Sequence, residues 1–238
     1  MNCSAVGTIL ISNDVRCNIW ILSNTDEIEL NIFETIIEII KSKPQEFNTK
    51  FIAIDGLGGS GKTTFTKNLI DIEPTIKILE LDHFPCLPEE YPFHPAGAQT
   101  RVSISRFMKE ALIPLSLGKP AIYMNSFWWP TDLEPTQYII EPGGIIMVEG
   151  CYSFHYDLRK YYDFSIWIDC PEEEAIKRAI NRDGKQGVEI WEKVHSPNER
   201  NYAKKQQPIK DCDLIISNNK SEFSIQKHYP NLFDKGDL

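Results

Sequence analysis

A glycine-rich loop followed by a lysine and two threonines constrains the fold more than any other feature of this 238-residue chain. Residues 56–64 read GLGGSGKTT, which fits the pattern GxxxxGK[ST]. An apolar run at 51–55 precedes the loop, and a helical pattern at 62–71 follows it. This order predicts a strand, a tight loop and a helix whose first N–H groups have no intrahelical partner. Such a loop is suited to hold the phosphates of a nucleotide.

Phosphate binding assigns a role to each part of the loop. We predict that backbone N–H groups surround the phosphates, that Lys62 reaches the β- and γ-phosphate oxygens, and that the Thr63 hydroxyl ligates Mg²⁺. The predicted nucleotide-binding residues are Gly56, Gly58, Gly59, Ser60, Gly61, Lys62, Thr63 and Thr64. The expected cofactors are ATP, or GTP, and Mg²⁺.

The same glycines allow a second interpretation. Gly56, Gly58 and Gly61 also fit GxGxxG, the dinucleotide fingerprint, and Asp82 lies 21 positions after Gly61, near where a dinucleotide fold keeps its ribose acid. Lys62 and Thr63 favour the triphosphate site, because a dinucleotide site needs neither a cation nor a hydroxyl there. A dinucleotide-dependent oxidoreductase is kept as an alternative hypothesis.

Strand-like and helical patterns alternate after residue 50. The apolar runs lie at 51–55, 76–82, 144–150, 163–169 and 213–217, with helical patterns at 62–71, 103–117, 171–182 and 189–206. Alternation of this kind predicts an α/β fold with a doubly wound, mostly parallel sheet. We therefore predict a P-loop NTPase with five strands, helices on both faces, and an insertion of about 60 residues between strands two and three.

The ends of the chain fall outside this pattern. We predict an N-terminal extension at 1–48, a P-loop domain at 49–218 and a C-terminal tail at 219–238. In the extension, residues 5–22 read as two short strands around Asn13-Asp14, a candidate hairpin.

An amphipathic helix is predicted after this hairpin. Asn24 is its candidate N-cap, with Glu27 at the third helical position and an end before Pro44. The isoleucines that recur every four residues from Ile28 to Ile40 indicate that the helix packs on the core.

Two acids lie at the ends of predicted strands, Asp82 after the second and Glu149 after the third. Ligands of open α/β sheets bind beyond these strand ends. Phosphoryl transfer to a hydroxyl needs a carboxylate that accepts the proton, and Mg²⁺ needs oxygen ligands. We predict that Asp82 is the proton acceptor and that Glu149 helps to hold Mg²⁺.

Two arginines share one face of the predicted helix at 171–182, because Arg178 and Arg182 are four residues apart. Gly184 follows and favours a flexible joint. A mobile pair of arginines neutralises charge on a transferred phosphoryl group, so we predict a lid. The alternative is a solvated face on which Arg178 pairs with Glu174.

Composition narrows the class of partner. The chain has 25 Lys and Arg against 34 Asp and Glu, a formal charge of −9, which argues against nucleic-acid or anionic-membrane surfaces. No apolar run approaches the length that spans a bilayer. The six cysteines are scattered without a CxxC pair, as is typical of reduced thiols in a cytoplasmic protein. The oligomeric state stays open, a homo-oligomer included.

Taken together, residues 50–217 resemble the uridine kinase-like P-loop kinases, relatives of phosphoribulokinase and pantothenate kinase. The matching stretches are IDGLGGSGKTT (54–64), LDHF (81–84), GGIIMVEGCYSF (143–154), DLRKYYDFSIWIDCPEEEAIKRAINRDG (157–184) and DCDLIIS (211–217). The resemblance implies a kinase that uses ATP and Mg²⁺ to phosphorylate a small-molecule acceptor. It also implies that Asp82 is the general base, that Glu149 is near the metal, and that Arg178 and Arg182 lie in the lid.

The acceptor half departs from the family pattern. Pro85 stands where a tyrosine follows the DxF motif, Phe93 stands where an aspartate precedes His-Pro, and residues 125–129 (NSFWW) replace a Tyr-Asp pair. A uridine- or cytidine-like nucleoside is therefore only narrowly favoured over a pantothenate- or sugar-acid-like alcohol. A nucleotide-binding regulatory protein without phosphotransfer is a further alternative. The candidate acceptor-binding residues are His83, Phe84, His94, Arg101, Trp128 and Trp129.

Overall fold

The computed structural model describes residues 8–11, 18–22, 27–45, 48–86, 102–125, 134–184, 188–219 and 222–228. The strands are β1 (Thr8–Ile11), β2 (Asn18–Leu22), β3 (Glu27–Asn31), β4 (Thr49–Asp55), β5 (Lys77–Glu80), β6 (Ala121–Met124), β7 (Gln137–Ile140), β8 (Gly144–Glu149), β9 (Phe164–Asp169), β10 (Leu214–Asn219) and β11 (Glu222–His228). None of the helices in these ranges has the length and hydropathy to cross a bilayer.

The helices are α1 (Ile32–Ser42), α2 (Lys62–Ile72), α3 (Ile104–Phe107), α4 (Ile113–Ser116), α5 (Glu172–Asp183), α6 (Val188–Ile190), α7 (Ser196–Gln206) and α8 (Pro208–Asp211). Two π-helical turns, Met108–Leu112 and Trp191–His195, connect α3 to α4 and α6 to α7. The helices predicted at 103–117 and 189–206 are therefore each present as one helical segment with a π turn inside it.

A six-stranded sheet organises the chain, in the order β11-β10-β9-β4-β8-β5. The five predicted strands are confirmed, and they pair in parallel. The predicted strand number is wrong by one, because β11 adds an antiparallel edge strand beside β10. That strand lies in the segment assigned to the tail, where the apolar residues are too sparse to mark a buried strand.

The central strand β4 is buried along its whole length, because helices cover both faces of the sheet. Phe51 and Ala53 point into one apolar cluster, which includes Phe107 of the insertion. Ile52 and Ile54 point into a second cluster with α1 and α2. Successive residues of a strand face opposite sides, so the uniform apolar run at 51–54 fills two cores.

Strand order separates this sheet from a dinucleotide-binding fold. In such a fold the first strand lies beside the second. Here β8 lies between β4, which carries the glycine loop, and β5, which precedes Asp82. Asp82 is therefore displaced by two strand spacings, roughly 10 Å, from the strand that leads into the loop. The topology does not support the dinucleotide alternative.

Helix α1 begins later than predicted. Its N-cap is Asn31, whose side chain accepts from the Phe33 N–H at 3.0 Å, while Glu34 accepts from the Asn31 N–H at 3.3 Å. The predicted cap, Asn24, lies outside the described residues. The pattern Asn-x-x-Glu occurs twice here, from Asn24 and from Asn31. The first does not begin the helix, because residues 27–31 pair as β3 with β2.

Two further sheets complete the fold. β1 and β2 pair antiparallel in the segment predicted as a hairpin, with β3 on the far side of β2, and the predicted turn at Asn13-Asp14 lies outside the described residues. In the insertion between β5 and β8, β6 and β7 form an antiparallel pair that the sequence did not reveal.

A buried lysine joins α1 to the central sheet. Lys50 of β4 is 7% exposed, and its ammonium donates to the carbonyl oxygens of Ile40 at 3.0 Å, Lys41 at 3.1 Å and Lys43 at 2.6 Å. The last carbonyls of a helix have no intrahelical partner, so this cation satisfies the end of α1. The N-terminal helix is thus held to the sheet by hydrogen bonds as well as by apolar packing.

Replacing Lys50 with methionine keeps the aliphatic stem and removes the three hydrogen bonds. We expect the free energy of unfolding to fall by about 2 kcal/mol, because the buried carbonyl oxygens lose a charged donor. Urea denaturation measures the change. Lys67→Met, at an exposed position of α2, is the matched control and should change stability by less than about 0.5 kcal/mol. Equal effects of the two substitutions would contradict the assignment.

Candidate active site

The glycine loop joins β4 to α2 at the carboxyl edge of the sheet. Gly61 is the N-cap of α2 with a left-handed φ of +98°, and no side chain caps the helix there. A residue with a Cβ is strained at such a φ, so glycine is required. The first turn of α2 therefore presents backbone N–H groups without a side-chain acceptor, which is the arrangement that binds anions.

Lys62 lies inside the loop and is 7% exposed. Its ammonium donates to the carbonyl oxygens of Gly56 at 3.0 Å and Leu57 at 2.9 Å. The loop's own backbone therefore holds the cation through two of its three N–H donors, and a phosphate oxygen can accept from the third.

A cavity of about 520 Å³ opens above the loop. It brings together predicted loop residues with Asp82, with Glu149, and with Arg178 and Arg182 of α5. The lining residues are Gly58, Gly59, Gly61, Lys62, Thr63, Thr64, Asp82, Glu149, Cys151, Arg178, Ala179, Arg182, Trp191, Asn218 and Phe223. The volume falls within the range of small-molecule and cofactor sites.

The two predicted acids meet at one end of this cavity. Glu149 ends β8, as predicted, and the Thr63 hydroxyl donates to its Oε1 at 3.3 Å. Asp82 is predicted at a strand end, but β5 ends at Glu80 and Asp82 lies two residues further, in the 3₁₀ turn Leu81–His83. The turn leaves the Asp82 carboxylate exposed to the cavity.

Burial raises the pKa of Glu149 to about 7, against the opposing charge of Lys62. The negative charges of Asp82 and Glu80 raise it further, while the hydrogen bond from Thr63 lowers it. A carboxylate that is costly to ionise alone is stabilised when a cation binds beside it. Glu149 and Thr63 are therefore the two oxygen ligands that could hold a cation here.

The two arginines line the cavity from α5. Arg178 donates from Nε to Glu174 Oε1 at 3.0 Å, so the pair predicted by the alternative interpretation exists, although Arg178 also faces the cavity. Arg182 donates to both carboxylate oxygens of Asp183, at 2.6 Å and 3.2 Å. Each guanidinium thus has an acidic neighbour that holds it at the cavity wall.

The acceptor-binding candidates are placed differently. Phe84 is fully buried in the core, with its ring 5.3 Å from Phe107 and 4.5 Å from Tyr123, so it packs against the insertion. His83 packs on Tyr138 with ring centroids 4.5 Å apart, and its Nδ1 lies 3.3 Å from the Tyr123 hydroxyl. The remaining candidates lie outside the described residues: His94, Arg101, Trp128 and Trp129.

Sequence reasoning missed several residues of this site. Asp55 ends β4 directly before the loop, and the rule that selected Asp82 and Glu149 at strand ends would have found it. Trp191 and Phe223 line the cavity without any local motif, since one comes from a π turn and the other from β11. Only the tertiary fold brings these two rings to the loop.

The fold and the site together define a P-loop NTPase-type α/β protein. A nucleotide loop precedes α2, the parallel strands are flanked by helices on both faces, and acids and arginines converge above the loop.

Comparison with known proteins agrees with this class. The chain is 24% identical over 184 residues to a uridine kinase of Borrelia hermsii (strain HS1 / DAH), covering 70% of this chain and 85% of that protein. A solved structure described as a possible uridine kinase from Bacillus stearothermophilus superposes with a TM-score of 0.60 at 17% identity, covering 77% of this chain and 96% of that one.

A second solved structure is D-glycerate 3-kinase from Cryptococcus neoformans var. grubii serotype A, with a TM-score of 0.54 at 12% identity over 84% of this chain and all of that one. No family model matches the sequence. The resemblance to uridine kinase-like P-loop kinases is confirmed, and the structural likeness fixes the fold.

The raised pKa of Glu149 predicts a pH-dependent cost to folding. The unfolded chain ionises this group near its ordinary value of 4.5, whereas the folded protein does so near 7. Between these values the folded state holds more protons, so this contribution to stability is present below pH 4.5 and is lost as the pH rises through 7. Glu149→Gln should therefore gain stability relative to the parent protein between pH 5 and pH 8.

Thermal unfolding at pH 5 and pH 8 without divalent cations measures this gain. Glu141→Gln is the control, since Glu141 is exposed and does not line the cavity. A difference between parent and Glu149→Gln that does not change with pH would contradict the burial of Glu149 as the cause.

Proposed function

We propose that this protein is a kinase that transfers the γ-phosphate of ATP or GTP to a hydroxyl of a small metabolite. The observation that carries the proposal is the shared cavity, because the uncapped start of α2, Lys62, Asp82 and the two arginines all line it. The comparisons with kinases support the same reaction class. A protein that only binds a nucleotide does not need Asp82, Glu149 and both arginines together.

The donor set fits a magnesium ion. Thr63 and Glu149 offer a hydroxyl and a carboxylate 3.3 Å apart beside the loop, and both are hard oxygen ligands of the kind Mg²⁺ prefers. No cluster of three or more His, Cys, Asp or Glu forms a metal site in the described ranges, so most ligands would be phosphate oxygens and water. When bound, Mg²⁺ neutralises phosphate charge.

The residues of the chain divide the remaining work. The N–H groups at the start of α2 hold the phosphates, and Lys62, held by the carbonyls of Gly56 and Leu57, directs its third N–H to a phosphate oxygen. Asp82 accepts the proton of the attacking hydroxyl. Arg178 and Arg182 turn from Glu174 and Asp183 towards the charge that spreads over the transferred group.

The acceptor is proposed to be a nucleoside resembling uridine or cytidine, narrowly ahead of another small alcohol of the pantothenate or sugar-acid kind. The named activity of the Borrelia hermsii relative favours the nucleoside, whereas the glycerate kinase shows that the same fold serves a sugar acid. His83, next to Asp82 in the chain, packs its ring on Tyr138, and both residues are partly exposed, so we assign them to the acceptor side of the site.

Purified protein incubated with Mg²⁺ and ATP or GTP should release the nucleoside diphosphate only when a suitable acceptor is added. The panel consists of nucleosides, pantothenate and sugar acids, with product identified by mass spectrometry. Asp82→Asn should lower kcat about a hundredfold or more while the affinity for ATP changes less than about threefold, because a general base acts on the acceptor.

Asp71→Asn is the matched control for this experiment, since Asp71 is an exposed residue of α2 outside the cavity lining. It should retain full activity. If the panel and both nucleotides give no product while ATP still binds, phosphotransfer to these alcohols is excluded and a nucleotide-binding regulatory role is favoured.

A further inference from the structure

Helix α7 contacts the phosphate loop from outside the cavity. The Gly58 N–H donates to Oε2 of Glu199 at 2.8 Å, and Glu199 is only 3% exposed. Three residues along the same helix face, the Tyr202 hydroxyl donates to Asp55 Oδ2 at 2.6 Å. One face of α7 therefore binds both Asp55, which precedes the loop, and Gly58 within the loop.

The hydrogen bond from Gly58 to Glu199 also fixes the direction of the Leu57 carbonyl. The peptide unit between Leu57 and Gly58 is planar, so its N–H and its carbonyl oxygen point in opposite directions. While the N–H of Gly58 points out to Glu199, the carbonyl of Leu57 points into the loop. There it accepts from the Lys62 ammonium at 2.9 Å and from the Ser60 N–H at 3.0 Å.

A second contact keeps this peptide in place. The Trp191 ring lies directly against Gly58, so a Cβ at this position would overlap the indole. Trp191 is 1% exposed, and its Nε1 donates to Asp183 Oδ2 at 2.7 Å. Asp183 also accepts from Arg182, so the ring that supports the loop apex is bonded to the partner of a cavity arginine.

We propose that Glu199 is a positioning residue for nucleotide binding, which acts on Lys62 through the Leu57–Gly58 peptide. This inference rests on the proposed function, since it assumes that the loop binds a nucleoside triphosphate. Glu199 binds the loop from α7 and is not among the residues that line the cavity. Its role is to accept the Gly58 N–H, and with it to hold the Leu57 carbonyl and the Lys62 ammonium in their orientation.

Two conservative variants of Glu199 distinguish the position of its acceptor oxygen from its negative charge. Glu199→Gln keeps an oxygen acceptor at the same distance and removes the charge. Glu199→Asp keeps the charge and withdraws the acceptor by one methylene. If the hydrogen bond to Gly58 matters, the Gln variant should bind Mg²⁺·AMP-PNP within threefold of the parent protein, whereas the Asp variant should bind about tenfold more weakly.

Isothermal titration with Mg²⁺·AMP-PNP gives these affinities without any acceptor. Glu192→Asp, an exposed position in the adjoining π turn, is the matched control and should bind as the parent protein does. Circular dichroism and urea denaturation establish that each variant is folded. If Glu199→Asp is too unstable to titrate, Glu199→Gln still tests the proposal, because it must bind as the parent protein does. Weaker binding by Glu199→Gln would overturn it.

The proposal is overturned if Glu199→Asp binds as tightly as the parent protein, or if Glu199→Gln loses as much affinity as Glu199→Asp. Where an acceptor has been found, the KM for the nucleotide should rise in the Asp variant while the KM for the acceptor stays unchanged. Should no acceptor react, the titration still decides the role of Glu199, so its failure and that of phosphotransfer are distinguished.

Discussion

One buried carboxylate holds the parts of the candidate site together. Asp55 is 1% exposed and accepts four hydrogen bonds, from the N–H groups of Gly56 at 2.6 Å, Tyr152 at 3.1 Å and Phe154 at 2.9 Å and from the Tyr202 hydroxyl at 2.6 Å. Burial raises the pKa of this carboxyl, and the hydrogen bonds oppose that shift. An acid placed here without these donors would be strongly destabilising.

The four donors belong to three different segments. Gly56 opens the phosphate loop, Tyr152 and Phe154 follow β8 and therefore Glu149, and Tyr202 lies on α7, which also carries Glu199. Because one carboxylate binds them all, the phosphate-binding side and the acid side of the cavity have a common support. A shift of either side would cost hydrogen bonds on the other.

The candidate site is rich in positive charge although the whole chain is acidic. The protein carries a net charge of −9, yet Lys62, Arg178 and Arg182 converge on a single cavity. Each of the three has a partner of its own: Lys62 binds loop carbonyls, Arg178 binds Glu174 and Arg182 binds Asp183. A triphosphate that reached all three cations would offer each of them a more highly charged acceptor.

The sequence by itself determined the features that depend on neighbours along the chain. Runs of apolar residues marked the five parallel strands, since a strand buried on both faces has to be apolar throughout. The glycine loop is recognisable because its backbone conformation and its cation are encoded in consecutive residues. Asp82 and Glu149 could be placed at the site because parallel strands end on the same edge of a sheet.

Only the tertiary structure decided what depends on contacts between distant segments. Glu199 meets Gly58 across 141 residues, and Tyr202 meets Asp55 across 147, so no local pattern announces either contact. Local sequence predicts the start of α1 too early, because residues 27–31 pair as a strand with β2. It does not predict β11, because that strand depends on the edge that β10 provides. Local sequence patterns identify the loop and its acids. The residues that hold the loop and the acids in place are determined by burial and hydrogen bonding between distant segments.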